Sequence, residues 1–277
     1  MRRYDIKMKK SLGQNFLVEP KILEKMIAAG QIDKSTTVVE IGPGIGALTQ
    51  YLAHYAKAVY AFEIDARFVT ILAETLSDYD NVNVIHQDIL SVDFASPDYQ
   101  ALQTADRLVV VANLPYYITT PIIMNLIGSS LKFERLVMMM QKEVAQRMTA
   151  QVNTKQYNSL TLAIQNTMSA EISFIVPKGV FIPQPNVDSA VLTLTRRDQP
   201  IVSLPDLHAF HEFIQLAFTQ RRKTIWNNLR QGLDLDPSVL ESALEKAQID
   251  KQRRAESLTL EDFERLYLAS QELNNPS

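Results

Sequence analysis

The fold is decided around residues 40–46, Glu-Ile-Gly-Pro-Gly-Ile-Gly, which close an apolar run that begins at Thr37. Glycines at 42, 44 and 46 allow the backbone to turn tightly after a strand and to approach a ligand where a Cβ atom would clash. The loop therefore predicts a nucleotide-type cofactor site between a strand and a helix. Pro43 removes one N–H donor, which argues against a pyrophosphate cradle. A structural turn without a ligand is the alternative.

Short runs rich in β-branched residues alternate with helical patterns along the first two thirds of the chain. The runs predict strands over residues 37–41, 59–62, 82–86, 108–112, 135–140, 172–176 and 190–195. Helical patterns such as 66–77 and 121–130 separate the early runs. This alternation predicts a seven-stranded, mostly parallel sheet with helices on both faces.

The pattern becomes helical after residue 197. Prolines at 200 and 205 interrupt the chain there. Helices are predicted over 206–218, 222–231, 237–248 and 260–273. Thr259, followed by acidic residues at 261 and 262, is typical of a capped helix start. We predict an α/β domain with a basic N-terminal segment over residues 1–200 and a small all-helical domain over 201–277.

The composition is that of an ordinary globular protein, with 277 residues of which 46% are hydrophobic and 21% charged. No apolar stretch is long enough to cross a bilayer, and no apolar segment of a secretory signal follows the basic N-terminus. Cysteine is absent, which excludes disulfides and thiol catalysis, and the four histidines show no metal-ligand spacing. We expect a cytoplasmic protein with no membrane contact and no metal.

The charge pattern bears on nucleic-acid binding more than the net charge of -3 does. Basic residues cluster within residues 2–10, at Arg196-Arg197 and at Arg221-Arg222-Lys223. Each cluster is either a solvated surface or part of a surface that binds phosphates. If the clusters share one face, they form a surface that follows an RNA backbone.

Two carboxylates follow the strands after the glycine loop. Glu63 lies about twenty residues beyond the loop, where an acid can accept hydrogen bonds from both ribose hydroxyls. Asp88 follows the third strand and can accept from an adenine amino group. The alternatives are a surface carboxylate for Glu63 and a helix cap for Asp88. With Gly42 and Gly44, these residues predict an adenosine-containing cofactor.

Residues 113–116, Asn-Leu-Pro-Tyr, follow the fourth strand, where ligands bind in open α/β sheets. The side-chain oxygen of Asn113 and the carbonyl of Leu114 can accept from the N–H groups of an aromatic amine and so favour its nucleophilic form. Tyr116 offers a face on which a base stacks. An ordinary loop is the alternative. Together with the cofactor residues, the motif predicts methyl transfer from S-adenosylmethionine to an adenine amino nitrogen.

Five separated motifs resemble the ribosomal RNA adenine dimethyltransferase family over nearly the whole chain. They lie, in the family's order, at residues 11–17, 42–46, 113–121, 180–191 and 218–223. The resemblance implies a Rossmann-like S-adenosylmethionine-dependent methyltransferase domain and a helical domain that docks on RNA. The residues that match the family's cofactor contacts are Asn15, Leu17, Gly42, Glu63, Asp88 and Asn113.

The resemblance also implies roles at the RNA side of the site. Asn113 and Tyr116 match residues around the target amine, and Phe181 matches an aromatic that helps to hold the flipped base. A core phenylalanine is the alternative for Phe181. Arg221, Arg222 and Lys223 are the RNA-binding candidates. Trp226 and the acidic C-terminal residues are less typical of the family.

The implied reaction is dimethylation of the N6 amine of two adjacent adenosines in a 3′-terminal hairpin of small-subunit (16S) ribosomal RNA, within a precursor 30S particle, by a monomeric enzyme. Residues 117–121, Tyr-Ile-Thr-Thr-Pro, favour this branch over the erythromycin-resistance branch, which acts on large-subunit RNA. The motifs are also compatible with a methyltransferase for a small molecule and with a ribosome-assembly factor that acts mainly by binding.

Overall fold

The computed structural model describes residues 16–17, 19–114 and 118–274. They form two compact units. Unit 1 contains the described residues up to 145 together with 170–196, and unit 2 contains 146–169 and 197–274. The second part of unit 2 thus begins near the boundary predicted at residue 200, but residues 146–169, which were predicted to lie in the first domain, belong to unit 2.

The secondary structure follows the predicted alternation. The first half of the chain contains β1 Phe16–Leu17, α1 Pro20–Gly30, β2 Thr36–Ile41, α2 Ala47–Tyr55, β3 Ala58–Glu63, α3 Ala66–Thr75, β4 Val82–His86, α4 Gln100–Gln103, β5 Arg107–Asn113, α5 Thr119–Gly128 and β6 Arg135–Gln141. The second half contains α6 Lys142–Met148, α7 Ser159–Thr167, β7 Met168–Val176, β8 Phe181–Ile182, β9 Ser189–Arg196, α8 Leu207–Ala217, α9 Ile225–Gly232, α10 Pro237–Lys246 and α11 Leu260–Asn274.

The main sheet has seven strands in the order β4-β3-β2-β5-β6-β9-β7. Strands β4, β3, β2, β5 and β6 are parallel to their neighbours, and β9 is antiparallel to β6. The predicted seven-stranded, mostly parallel sheet is therefore confirmed. Since β3 and β5 lie on opposite sides of β2, the connections change direction at β2, and a crevice between β2 and β5 is the expected ligand position.

A second sheet consists of the short strands β1 and β8, which pair antiparallel. Leu17 lies opposite Phe181 in this pairing. This sheet was not predicted, because a two-residue pairing between distant segments leaves no periodic pattern in the sequence.

Unit 2 has its own apolar core. Buried side chains of α8, α9, α10 and α11 form one cluster, and this cluster includes Tyr157 and Leu162 from the 146–169 segment. The Tyr157 hydroxyl also donates a hydrogen bond to the Leu258 carbonyl (2.9 Å). Burial of these side chains is the physical reason why 146–169 belongs with the C-terminal helices.

The predicted cap of the last helix is confirmed. The Asp262 N–H donates to the Thr259 hydroxyl (3.2 Å), and the Thr259 N–H donates to the Asp262 carboxylate (3.1 Å). This reciprocal pair satisfies two N–H groups at the start of α11. In the part of the chain that the structure describes, no helix is long and apolar enough to span a membrane.

Candidate functional site

The glycine loop connects β2 to α2 in a conformation that requires glycine. Gly42, Gly44 and Gly46 have φ values of +69°, +59° and +86°. A Cβ atom on Gly46 would lie 3.0 Å from the Leu72 side chain, whereas one on Gly42 would meet nothing within 4 Å. Gly46 is therefore required for packing of the loop, while Gly42 borders open space that a ligand can occupy. Contact of Gly42 and Gly44 with the cofactor stays a prediction.

Glu63 ends β3 beside this loop and is 5% exposed. Its Oε2 accepts a hydrogen bond from the Gly44 N–H (3.1 Å), and its Oε1 accepts one from the Asp65 N–H (2.9 Å). Burial raises the pKa of Glu63, and these backbone N–H groups oppose the rise because they stabilise the carboxylate. Each oxygen keeps a second lone pair, so the fixed carboxylate can still accept from ribose hydroxyls.

The turn after Glu63 is held by Asp65 and Arg67. The Asp65 carboxylate caps α3 by accepting from the Arg67 N–H (3.1 Å), and it also binds the Arg67 guanidinium through Nε (2.9 Å) and Nη2 (2.5 Å). The same ion pair raises the pKa of Arg67. Because the Asp65 N–H is a partner of Glu63, this ion pair helps to orient the predicted ribose acceptor.

Asp88 lies two residues beyond β4 and is half-buried. Its Oδ1 accepts from the Leu90 N–H (3.0 Å) and caps the short 3-10 turn at Ile89–Ser91. The capping role that the sequence left open for Asp88 is thus present. Contact of Asp88 with an adenine amino group stays a prediction.

Asn113 is the last residue of β5, opposite Met139 of β6. The following residue, Leu114, has a buried side chain, and its N–H donates to the Met139 carbonyl (3.4 Å). The backbone between the two predicted amine acceptors is therefore hydrogen-bonded to β6. Tyr116, which completes the motif, lies outside the described residues, as does Asn15.

The strand order brings the predicted cofactor and amine residues together. Strands β4, β3, β2 and β5 are neighbours in that order and are parallel, so their carboxyl ends lie on one edge. Asp88, Glu63, the glycine loop and Asn113 follow these four ends in turn. The residues therefore form a row, with Asn113 on the β5 side of the crevice.

Leu17 and Phe181 lie in the β1–β8 pairing and share one apolar cluster of unit 1. Phe181 is 3% exposed. Its ring packs in the core, which is the structural role that the sequence left open for this residue. Contact of Leu17 with the cofactor and of Phe181 with a flipped base stay predictions.

The basic residues 221–223 lie in unit 2, in the turn between α8 and α9, and all are exposed. Asn228 of α9 holds this turn from inside. Its Nδ2 donates to the carbonyls of Ala217 (2.6 Å) and Gln220 (3.2 Å). Thr224 caps α9 by accepting from the Asn227 N–H. The three cations thus lie on an internally fixed turn, and their contact with RNA stays a prediction.

One polar residue near the loop had no predicted role. Glu40 of β2 is 1% exposed, and burial raises its pKa to about 8. A smaller opposing effect comes from Thr49, and the charge of Glu63 adds to the rise. An acid inside an otherwise apolar strand is the signal that could have identified it. Among the described residues, no cluster of three or more histidine or acidic side chains can hold a metal.

Known proteins are similar to this chain in both sequence and fold. The sequence model of the family described as ribosomal RNA adenine dimethylase matches residues 6–272. Ribosomal RNA small subunit methyltransferase A from Enterococcus faecalis is 51% identical over 96% of this chain and 91% of that protein.

Two solved structures are similar to this chain in fold. A dimethyladenosine transferase from Plasmodium falciparum has a TM-score of 0.78 and 27% identity, covering 94% of this chain and 98% of its own. The 23S rRNA methyltransferase ErmE has a TM-score of 0.70 and 26% identity, covering 92% of this chain and 99% of its own. The Rossmann-like methyltransferase fold is therefore confirmed. The chain belongs to the ribosomal RNA adenine dimethylase family, and it is an S-adenosylmethionine-dependent methyltransferase that acts on ribosomal RNA.

Proposed function

We propose that the protein dimethylates the N6 amine of two adjacent adenosines in a 3′-terminal hairpin of small-subunit ribosomal RNA. The observation that carries the proposal is the row of Asp88, Glu63, the glycine loop and Asn113 along one edge of the sheet. The row contains a group for each part of an adenosine-containing cofactor and, at its end, acceptors for an amine. The 51% identity to a small-subunit methyltransferase, against 26% to ErmE, supports the small-subunit branch.

The residues of the row suit S-adenosylmethionine. Gly42 gives open space beside the backbone, Glu63 offers a fixed carboxylate to the ribose, and Asp88 offers a carboxylate to the adenine amine. We assign Asn15 and Leu17 to the same cofactor by family resemblance. When bound, the cofactor supplies an electrophilic methyl group on a sulfonium.

The chain's part in the chemistry is to make a poor nucleophile react. The lone pair of an adenine amine is delocalised into the ring, so the nitrogen must become pyramidal before it can attack. The Asn113 side-chain oxygen and the Leu114 carbonyl accept from its two N–H groups and stabilise that form as charge develops. Because the Leu114 N–H is bound to the Met139 carbonyl, the backbone between these acceptors needs little reorganisation. Tyr116 holds the base by stacking, with Phe181 beside it.

The same acceptors explain why two transfers differ. Each acceptor requires an N–H, and a monomethylated amine has one. The second transfer therefore uses one acceptor and needs room for the first methyl group. We expect changes at Leu114 or Tyr116 to affect the two transfers unequally.

RNA docking is assigned to unit 2. Arg221, Arg222 and Lys223 present three cations on a turn fixed by Asn228, and cations on a fixed turn bind phosphates without reading sequence. We propose that the protein acts as a monomer on a precursor 30S particle, in the cytoplasm where such particles assemble.

The decisive experiment supplies labelled S-adenosylmethionine with unmethylated small subunits, large subunits or naked ribosomal RNA, followed by nucleoside analysis. Dimethyladenosine on small-subunit particles is the expected product. Asn113→Ala should lower the rate about 100-fold or more, since one acceptor is lost. Asn83→Ala, at an exposed position of β4, is the matched control and should leave the rate unchanged.

Three results would contradict the proposal in distinct ways. Label on large-subunit RNA would place the protein with the erythromycin-resistance type. Binding of small subunits without label would favour an assembly factor that acts by binding. Full dimethylation by Asn113→Ala would remove the basis for the amine-acceptor mechanism.

A further inference from the structure

Two large apolar side chains are exposed in the segment that leads from β8 to β9. Ile182 is 52% exposed and Val187 is 46% exposed, whereas the preceding Phe181 is buried. Single exposed apolar residues are ordinary on protein surfaces. The position of these two residues and the way they are held must therefore carry any function.

The segment lies at the edge of the sheet that carries the proposed methyl-transfer site. Asn113 of β5 lies opposite Met139 of β6, and Met139 lies opposite Val191 of β9. Neighbouring strands are about 4.8 Å apart, so Val191 is about 10 Å from Asn113 across the sheet. Because β9 begins at Ser189 and is antiparallel to β6, Val187 lies just beyond the carboxyl end of β6. The exposed pair therefore borders the amine acceptors.

Both ends of this segment are fixed. Ile182 lies in the pairing of β8 with β1. At the other end, the Asp188 carbonyl accepts from the Lys142 N–H (3.1 Å), and Asp188 Oδ1 accepts from the Lys178 N–H (3.0 Å). Two prolines restrict the backbone between these ends. The apolar pair is thus preorganised, which lowers the entropy lost when a partner binds.

The position of the pair indicates what covers it. The RNA must reach the Asn113 edge for its adenine to be methylated, so the nucleotides beside the target pass over the same edge. Exposed lysines at 142 and 178 can contact phosphates, but acids at 143 and 188 balance their charge. The fit to RNA therefore depends on apolar contact with a base more than on charge.

We infer that Ile182 and Val187 form a wedge that fills the place left in the RNA stack by the flipped adenosine and contacts the base beside it. The inference rests on the proposed function, because it takes Asn113 as the position of the target amine. Flipping a base breaks its stacking on its neighbours, and an apolar side chain inserted there replaces part of the lost contact. Both are positioning residues, since neither contacts the reacting atoms.

The test is a double-mutant cycle between the protein and the RNA. Ile182→Ser combined with Val187→Ser should lower kcat/KM on unmethylated small subunits about tenfold to 100-fold. An abasic nucleotide then replaces one base that flanks the two target adenosines, so that the wedge has no base to contact. On the particle that lacks the contacted base, the loss should be less than about twofold. The two flanking positions are tested in separate particles.

Three further variants act as controls. Ile175→Ser, at a 41% exposed position of β7 outside the segment, should leave kcat/KM unchanged. Ile182→Leu keeps the apolar surface and should stay within about twofold of the wild type. Ile182→Ser alone, in case the double variant does not fold, should lower kcat/KM about threefold to tenfold. Calorimetric binding of S-adenosylhomocysteine should be the same for every variant, which a general loss of structure would not allow.

An equal loss on intact particles and on both abasic particles would overturn the inference, because the serines would then act without the base. A wild-type rate for the double variant on intact particles would overturn it too. If the wild type also forms dimers that the double variant does not, the pair is instead a contact between copies.

The wild-type protein alone decides the proposed function. Label on large-subunit RNA would overturn the small-subunit branch only, and the same cycle on that RNA would then decide the wedge. Absence of label from every RNA would overturn both, because a wedge for base flipping requires a target base.

Discussion

Replacement of Glu40 by glutamine should change how stability depends on pH. Glu40 is almost completely buried, and burial raises its pKa from the ordinary 4.5 to about 8, with the charge of Glu63 adding to the rise. At neutral pH the free protein therefore keeps a proton on this carboxyl that the unfolded chain has lost. Glutamine has nearly the same shape and does not titrate, so it isolates this effect.

The sign follows from proton binding. Between pH 4.5 and about 8 the native state holds more protons than the unfolded state, so the free energy of unfolding decreases as pH rises. The contribution of Glu40 is complete below pH 4.5 and is lost once pH exceeds about 8. A pKa difference of this size corresponds to about 5 kcal/mol at 1.36 kcal/mol per unit. Relaxation and water entry reduce it, so we expect roughly 2–5 kcal/mol.

The assay is urea unfolding of the wild-type protein and Glu40→Gln at pH 5.5, 7.0 and 8.5. We expect similar stability at pH 5.5 and a growing advantage for Glu40→Gln as pH rises. Glu24→Gln, the same substitution at an exposed position of α1, is the control and should follow the wild-type curve. Parallel curves for wild type and Glu40→Gln across this range would refute the reasoning, because they would show that Glu40 does not hold a proton when buried.

Three further predictions concern the loop and unit 2. Gly42→Ala should lower the free energy of unfolding by about 1 kcal/mol, because of its φ of +69°, and should weaken S-adenosylhomocysteine binding at least tenfold. Gly46→Ala, whose Cβ would lie 3.0 Å from the Leu72 side chain, should lower the free energy of unfolding by about 2 kcal/mol. Urea unfolding measures the stabilities and calorimetry measures the binding. Asn228→Ala should lower the free energy of unfolding by about 2–3 kcal/mol, because the buried Ala217 carbonyl and the partly buried Gln220 carbonyl lose their donor, as chemical denaturation will show. Replacing Arg221 and Arg222 with alanine should weaken ribosomal RNA binding and reduce the slope of log affinity against log salt by about two; an unchanged slope would contradict phosphate contact.

The sheet could be predicted because its signals are local. Runs of β-branched residues bounded by turns indicated strands, and their alternation with helices indicated parallel pairing. The cap at Thr259 could also be predicted, since its partner is three residues away. The helix predicted from residue 222 begins instead at Ile225, because Thr224 supplies the capping oxygen and the basic residues form the preceding turn.

What the sequence did not reveal depends on contacts between distant segments. The β1–β8 pairing joins Leu17 to Phe181, and two residues are too few to show a period. The 146–169 segment belongs to unit 2 because Tyr157 and Leu162 are buried among the C-terminal helices, which local pattern cannot show. Glu40 lies within the glycine motif, and its position in an apolar run marks it in the sequence, but its burial and raised pKa are properties of the folded chain.

An unpartnered buried oxygen does not by itself indicate a ligand, and Asn228 illustrates the difference. Asn228 Oδ1 is also without a partner in the described structure, but its Nδ2 makes two hydrogen bonds that fix the basic turn. Leaving one acceptor of a neutral amide without a hydrogen bond costs little free energy, and the two bonds from Nδ2 offset that loss. Glu40 has less compensation: Thr49 partly stabilises its charged form, but it is a buried acid beside a second acid, and an apolar residue would stabilise β2 better. This cost falls beside the glycine loop, whose three glycines have positive φ and border the start of α2.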